Sequence, residues 1–198
     1  MTHLPITGSF SVTATYGQTG PYWKNGHKGI DFTAADRRIF ATCNGTVRVV
    51  AFDEGGWGQY VTIGDAEGRI HILCHMVKGS VKVKSGQTVT PLTVIGTMGA
   101  TGNVTGVHVH YQLEKNNTVL NPSEYLGVPN KIGNYNSSQF EVPETTGGYK
   151  DQAAIPAWAR DAVAEVTEKG WMEGYNGYFR PNDPVTRAEL AVVLAKIH

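Results

Sequence analysis

Cysteine and charge are both scarce in this chain of 198 residues: it has 2 cysteines, and only 17 % of its residues are charged, against ~25 % in an average soluble protein. Two cysteines cannot build a disulfide framework. Cys43 and Cys74 are expected as small, buried, apolar thiols, although the sequence leaves a single bridge between them open. Charge of one sign is also missing. Lys plus Arg and Asp plus Glu are 17 each, giving a formal net charge of zero, which removes the electrostatic argument for nucleic acid or an anionic membrane as partner. No run approaches the ~18 apolar residues of a bilayer span, so no membrane insertion is expected. The start, Met1-Thr-His-Leu-Pro-Ile-Thr-Gly8, lacks both the basic and the apolar part of a secretory signal. It is therefore expected to act inside the cell, to leave without a signal, or to have lost a leader.

Glycine is plentiful instead, at 24 of 198 residues, and nine prolines add further turns. With 40 % hydrophobic residues the chain can bury a core, and a strand-rich body is expected before a helical bundle. Segments 46–52, 59–63, 69–75 and 107–113 are β-branched or aromatic and are separated by turn clusters such as Asp53-Glu-Gly-Gly56 and Asp65-Ala-Glu-Gly68. The fold class expected is mainly β, an antiparallel sheet or open barrel, followed by a small α-helical helix-loop-helix module. Residues 1–126 form the first domain in this reading. Residues 127–150, rich in Gly, Pro, Asn, Ser and Thr, form a linker, and residues 151–198 form the second module.

In that module Trp158, Ala162 and Val166 recur at helical spacing after Pro156, and Gly170 supplies a stop. Leu190, Val193, Leu194 and Ile197 make the stripe of a second helix, opened by a capping box of Thr186 and Glu189. Forty-eight residues with two helices make a small core, so the module is expected to lean on a partner.

The histidines carry the chemistry. In a strand, His108, His110 and Gln112 share one face and Val107, Val109, Tyr111 and Leu113 the other. Two imidazoles about 6.6 Å apart at Cα can converge on one ion. His27 and Asp31 lie four residues apart with Gly29 between them, which lets both side chains reach one point. His75 closes a strand and is better placed than His71, which reads as a bystander or support. Either motif alone is ordinarily a solvated edge or a hydrogen-bonded turn. Together they offer His, Asp and His donors with one open tetrahedral corner, the arrangement of a catalytic zinc. Such an ion activates water and polarises a carbonyl, which suits amide hydrolysis, while a nearby free imidazole moves the proton.

These residues resemble the lysostaphin-type zinc endopeptidases, the LytM-like peptidoglycan hydrolases. The resemblance is carried by Gly26-His27-Lys-Gly-Ile-Asp31, Gly56-Trp57-Gly58, Leu73-Cys74-His75-Met76 and Thr101-Gly102-x-x-x-Gly106-x-His108-x-His110, in order over residues 8–126. It implies His27, Asp31 and His110 as ligands of one Zn2+. It also implies His75 and His108 as the catalytic pair that orients the attacking water and stabilises the tetrahedral intermediate. Some relatives have lost ligands and act as activators; this sequence retains all five positions. Leu73, Met76, Val109 and Tyr111 depart from the usual residues in ways that touch packing and the groove, where Tyr22, Asn25 and Trp57 are candidates.

The tail is similar to a single S-layer homology repeat, through Trp158-Ala-x-x-Ala162, Lys169-Gly170-Trp-Met-x-Gly174, Gly177-Tyr-Phe-Arg-Pro181 and Thr186-Arg-Ala-Glu189. The resemblance implies binding of secondary cell-wall polysaccharide, with Arg187 as the contact residue. Such repeats usually occur in threes, so a homo-trimer is a further expectation. The function expected is cleavage of murein peptide cross-links, with the D-alanyl–diaminopimelate bond preferred over glycyl–glycine. A phage endolysin acting on the wall after release from the host cytoplasm is the leading role. The alternatives are a non-catalytic envelope-binding protein and a bacterial autolysin without its leader.

Overall fold

The computed structural model describes residues 3–140, 149–151, 154–156, 159–172, 174–175 and 178–196. The chain divides into two compact units, Met1–Glu141 and Val142–His198. Among the described residues no helix is long and apolar enough to cross a membrane.

The first unit is an antiparallel sheet. Its strands are β1 (Ser9–Ala14), β2 (Ile30–Ala34), β4 (Gly45–Asp53), β5 (Gly58–Gly64), β6 (Arg69–Met76), β7 (Thr88–Val89), β9 (Val109–Lys115), β10 (Thr118–Leu120) and β11 (Gly133–Asn136). Their order is β11-β1-β2-β9-β6-β5-β4-β7, with β10 also paired to β9. Two short strands, β3 (Arg38–Phe40) and β8 (Val94–Thr97), form a separate pair, and α1 (Pro122–Leu126) follows β10. The turns are built as the sequence suggests. Asp53 accepts from the backbone of Gly55 and Trp57, and Asp65 from that of Glu67 and Arg69.

The period of two in β9 separates core from site. Val109, Tyr111 and Leu113 are buried, and opposite Tyr111 stand Ile30 on β2 and Leu73 on β6, both in the same core. Val107 remains 38 % exposed because it precedes the strand. Cys43 and Cys74 are buried free thiols.

His71, on the core side of β6, is fully buried and closes a polar network. Its Nε2 donates to Asp65 Oδ2 at 3.3 Å, and its Nδ1 lies 2.8 Å from the Tyr111 hydroxyl and 2.9 Å from Thr42 Oγ1. Burial pushes the His71 pKa below its ordinary 6.5. Burial also works against the Asp65 carboxylate, but hydrogen bonds from Arg69 and His71 outweigh it and hold that group down to about 2. Both folded pKa values are depressed. Their stabilisation is therefore complete at neutral pH and lost on acidification, that of His71 from about 6.5 downward and that of Asp65 below about 3.8. The thermal midpoint of the metal-free chain is expected to fall between pH 7 and 5, and less steeply in the His71→Gln variant. Melts followed by circular dichroism check this, and parallel slopes would assign the acid sensitivity elsewhere.

The linker expected at 127–150 starts too early. Residues 133–136 pair with β1 at the sheet edge, Val128 is buried, and Ser137–Gln139 makes a single 3-10 turn capped by Asn136. Tyr135 packs tilted against Phe10 and edge-on against Phe140, with ring centroids 5.7 and 5.6 Å away. An edge strand buries little, so its Asn-rich sequence looked like a loop. The first unit thus runs past residue 126, and the later part of the expected linker, residues 141–148, lies outside the described residues.

The second unit contains α2 (Arg160–Glu168) and α3 (Arg187–Lys196). Gly170, with φ +65°, ends α2 in the left-handed region that glycine adopts without strain. The capping box is present: Thr186 Oγ1 accepts from Glu189 N at 3.2 Å, and Glu189 Oε2 accepts from Thr186 N at 2.8 Å. Asp151 accepts from the backbone of Phe179 and Arg180, and Lys196 donates to Gly170 O, tying the last turn of α3 to the end of α2. Ile155 and Val163 are buried. Among the described residues the stripe expected on α3 is not buried, since Leu190 and Leu194 are 48 % and 55 % exposed. Trp158, Gly177 and Ile197, singled out from the sequence, lie outside the described residues.

Candidate metal centre

Three adjacent strands position the centre. Asp31 on β2 stands opposite His110 on β9, which stands opposite Cys74 on β6, next to His75. His27 reaches the same point from the turn before β2. Its backbone is pinned to the 15–18 segment, with His27 N donating to Gln18 O and Gly17 N to His27 O, each at 2.8 Å. Gly29 makes room in between. A Cβ there would stand 2.5 Å from both His110 Cε1 and the Tyr111 carbonyl oxygen, so a larger residue displaces the imidazole.

The donor atoms converge. His110 Nδ1 is 2.8 Å from Asp31 Oδ1 and 3.0 Å from His27 Nε2, and His27 Nε2 is 3.2 Å from Asp31 Oδ1. All three residues are buried. Burial opposes the Asp31 charge, but hydrogen bonds from His110 and then His27 outweigh it and hold the carboxyl well below its usual range. The donor set therefore consists of an ionised oxygen and two ring nitrogens, the hard and borderline ligands that zinc accepts. His27 is oriented by donating Nδ1–H to Thr15 O at 3.0 Å, and Trp23 stacks over its ring at 4.5 Å. The two thiols are poor competitors for a metal, since burial pushes Cys43 up to about 12 and raises Cys74 as well.

His75 and His108 flank this group. Their ring centroids are 4.8 Å apart, His75 is 5.8 Å from His110, and His108 Nε2 is 3.7 Å from Asp31 Oδ2. Each spends Nδ1 on a backbone carbonyl, His75 on Thr101 at 3.0 Å and His108 on Gly106 at 2.9 Å, which frees Nε2. Burial, followed by the neighbouring His108 and His110, pushes the His75 pKa down to about 4.

Strict alternation would put His75 on the face opposite Cys74 and hence opposite His110. The strand avoids this with a bulge: residues 73–76 of β6 oppose only residues 59–61 of β5. His75 takes φ +63°, a left-handed conformation that costs a non-glycine residue energy and needs support. His75 N donates to Trp57 O at 2.9 Å, and Thr101 Oγ1 donates to Met76 O at 2.6 Å while accepting from Gln59 N at 2.9 Å. Thr101 thus clamps the residues around His75. Its place in the Thr-Gly signature was the only sequence sign of that task.

Among the described residues, His27, Asp31 and His110 are the group whose donor atoms all lie within 4.8 Å of one another. His71 is turned to the core and takes no part. Of the groove candidates, Tyr22 is 77 % exposed, Asn25 is exposed and Trp57 is half-buried. Arg187 lies exposed in the first turn of α3, in the other unit.

Residues 25–122 match the family model described as Peptidase family M23. The structure also aligns with the catalytic domain of a mutant of the prophage-encoded M23 protein EnpA from Enterococcus faecalis. That alignment has a TM-score of 0.54 and 32 % identity and covers 62 % of this chain and 96 % of that one. The chain belongs to peptidase family M23. M23 enzymes are zinc metallopeptidases, so the zinc expected from the sequence is the cofactor of this family. Residues 148–191 match the S-layer homology domain. An uncharacterized metalloprotease of Haemophilus influenzae is 38 % identical over 97 residues, 48 % of this chain and 20 % of that protein. The peptidoglycan DD-endopeptidase ShyC of Vibrio cholerae is 32 % identical over 122 residues, 59 % and 26 % respectively. The M23 chain therefore spans about a fifth to a quarter of the length of these curated relatives.

Proposed function

We propose that this M23 chain is a zinc-dependent endopeptidase that cleaves the peptide cross-links of murein. The observation that carries the reading is the meeting of His27, Asp31 and His110 at one point, with the free Nε2 atoms of His75 and His108 beside it. His27 Nε2, Asp31 Oδ1 and His110 Nδ1 would hold the ion. Zinc bound there supplies Lewis acidity to the scissile carbonyl and to water. His75, neutral through burial, accepts at Nε2 the proton of the attacking water and returns it to the leaving amine. His108, with Nδ1–H held by the Gly106 carbonyl and Nε2 3.7 Å from Asp31 Oδ2, would donate a hydrogen bond from Nε2 to the developing oxyanion in its imidazolium form, in which both ring nitrogens carry a proton.

The D-alanyl–diaminopimelate link is the preferred bond, supported by the likeness to a DD-endopeptidase. The second unit would hold the enzyme on the wall. Arg187 would contact an acidic secondary wall polysaccharide, and the half-exposed Leu190 and Leu194 would be covered in a trimer of single repeats. The role of a phage endolysin is supported by the likeness to a prophage-encoded M23 protein. Purified walls carrying direct cross-links test the reading. Clearing that stops with chelator, with free diaminopimelate amines in the products, is expected. No clearing with or without chelator would make the chain a wall binder, clearing equal in both would overturn the metal dependence, and new glycine N-termini from pentaglycine walls would overturn the bond assignment.

A further inference from the structure

We propose that Gln112, itself fixed by Glu114, is a positioning residue that holds the His110 imidazole with its proton on Nε2 and its lone pair on Nδ1 aimed at the metal. The inference rests on the zinc reading of the centre and concerns residues that reading leaves unused.

The strand sets up the row. His110, Gln112 and Glu114 follow one another at period two on β9 and so share a face. Gln112 is buried, with 3 % of its surface exposed, and a side-chain amide so enclosed needs partners for both ends. Its Nε2 lies 2.6 Å from Glu114 Oε1, and its Oε1 lies 3.4 Å from His110 Nε2. The chemistry of the far end decides the orientation of the rest. An ionised carboxylate only accepts, so the amide must turn its NH2 toward Glu114 and its oxygen toward the ring. That oxygen can accept only from an Nε2–H. The imidazole with Nε2 protonated has its free lone pair on Nδ1, the atom 2.8 Å from Asp31 Oδ1 and 3.0 Å from His27 Nε2.

His110 is the member of the set that needs this support. His27 donates Nδ1–H to a backbone carbonyl and ligates through Nε2. His110 presents the opposite nitrogen, and its Nε2 faces a side chain, which can turn, rather than a carbonyl fixed by the sheet. Partners of this kind raise the basicity of a ligating imidazole and hold its plane, and their loss typically costs 10–100-fold in metal affinity.

The test uses the full chain, chelator-competition titration with Zn2+, and the imidazole N–H spectrum of the 15N-labelled, zinc-loaded protein. In the parent, His110 Nε2–H is expected as a downfield, slowly exchanging resonance. Gln112→Leu should lose that resonance and bind zinc roughly 10–100-fold more weakly. Glu114→Leu, which frees the amide to turn over, should move both readouts the same way by less. The exchange Gln112→Glu with Glu114→Gln keeps an acceptor beside the ring and a donor beside the acceptor, and should restore both. Equal zinc affinity and an unchanged resonance in Gln112→Leu would overturn the proposal, as would weak binding that the exchanged pair fails to restore. If Gln112→Leu does not fold, the Glu114→Leu and exchanged chains decide alone. A parent chain that takes up no zinc would instead refute the reading of the centre.

Discussion

His110→Ala is expected to bind zinc at least about 100-fold more weakly than the parent and to clear walls no faster than the chelated enzyme. The lower bound follows because an outer partner of a ligand is already worth 10–100-fold, and this change removes the ligand itself. It also removes the group that the other donors surround. His110 Nδ1 is in contact with both Asp31 Oδ1 and His27 Nε2, so the remaining pair has no third atom to complete a three-donor site. Zinc titration against a competing chelator measures the affinity, and turbidity measures the clearing. His71→Gln is the matched control, a fully buried histidine of the same unit that lies outside the donor group, and it should retain its zinc. Parent-like affinity in His110→Ala would remove β9 from the centre.

His75→Ala should separate binding from turnover. The chain is expected to take up zinc normally, because His75 is not one of the converging donors, while the clearing rate falls by about 10²–10⁴, the usual contribution of a positioned general base. Elemental analysis and initial rates on the same preparation check both halves. Alanine keeps a Cβ at φ +63° and gives up the hydrogen bond to Thr101, so lost activity with normal zinc content and an unchanged or slightly lower melting point is the expected pattern. Loss of zinc together with activity would make His75 part of the metal's support.

Much of this centre was legible because strand alternation is strict. His108-Val109-His110 and the buried Tyr111 and Leu113 follow from period two alone, and the His27-to-Asp31 spacing needs only a glycine between to converge. The position of His75 could not be read this way. Alternation assigns it to the wrong face, and only the bulge and φ +63° bring it over, features that depend on Trp57 and Thr101 from distant parts of the chain. Gln112 was visible on the face of His110, but its task depends on Glu114 one step further along. The edge strand at 133–136 was hidden because edge pairing asks for backbone groups and little side-chain burial. The helical stripe on α3 was read from spacing, yet spacing does not tell whether a surface exists for Leu190 and Leu194 to cover.

Zinc-edge X-ray absorption on the parent chain loaded with one equivalent of Zn2+ tests the central claim most directly. The account predicts one tightly held zinc per chain, surrounded by nitrogen and oxygen at about 2.0–2.2 Å with the outer-shell signature of two imidazoles. A sulfur scatterer near about 2.3 Å would place the ion on Cys43 or Cys74 instead and contradict it, as would zinc that washes out of the protein in buffer.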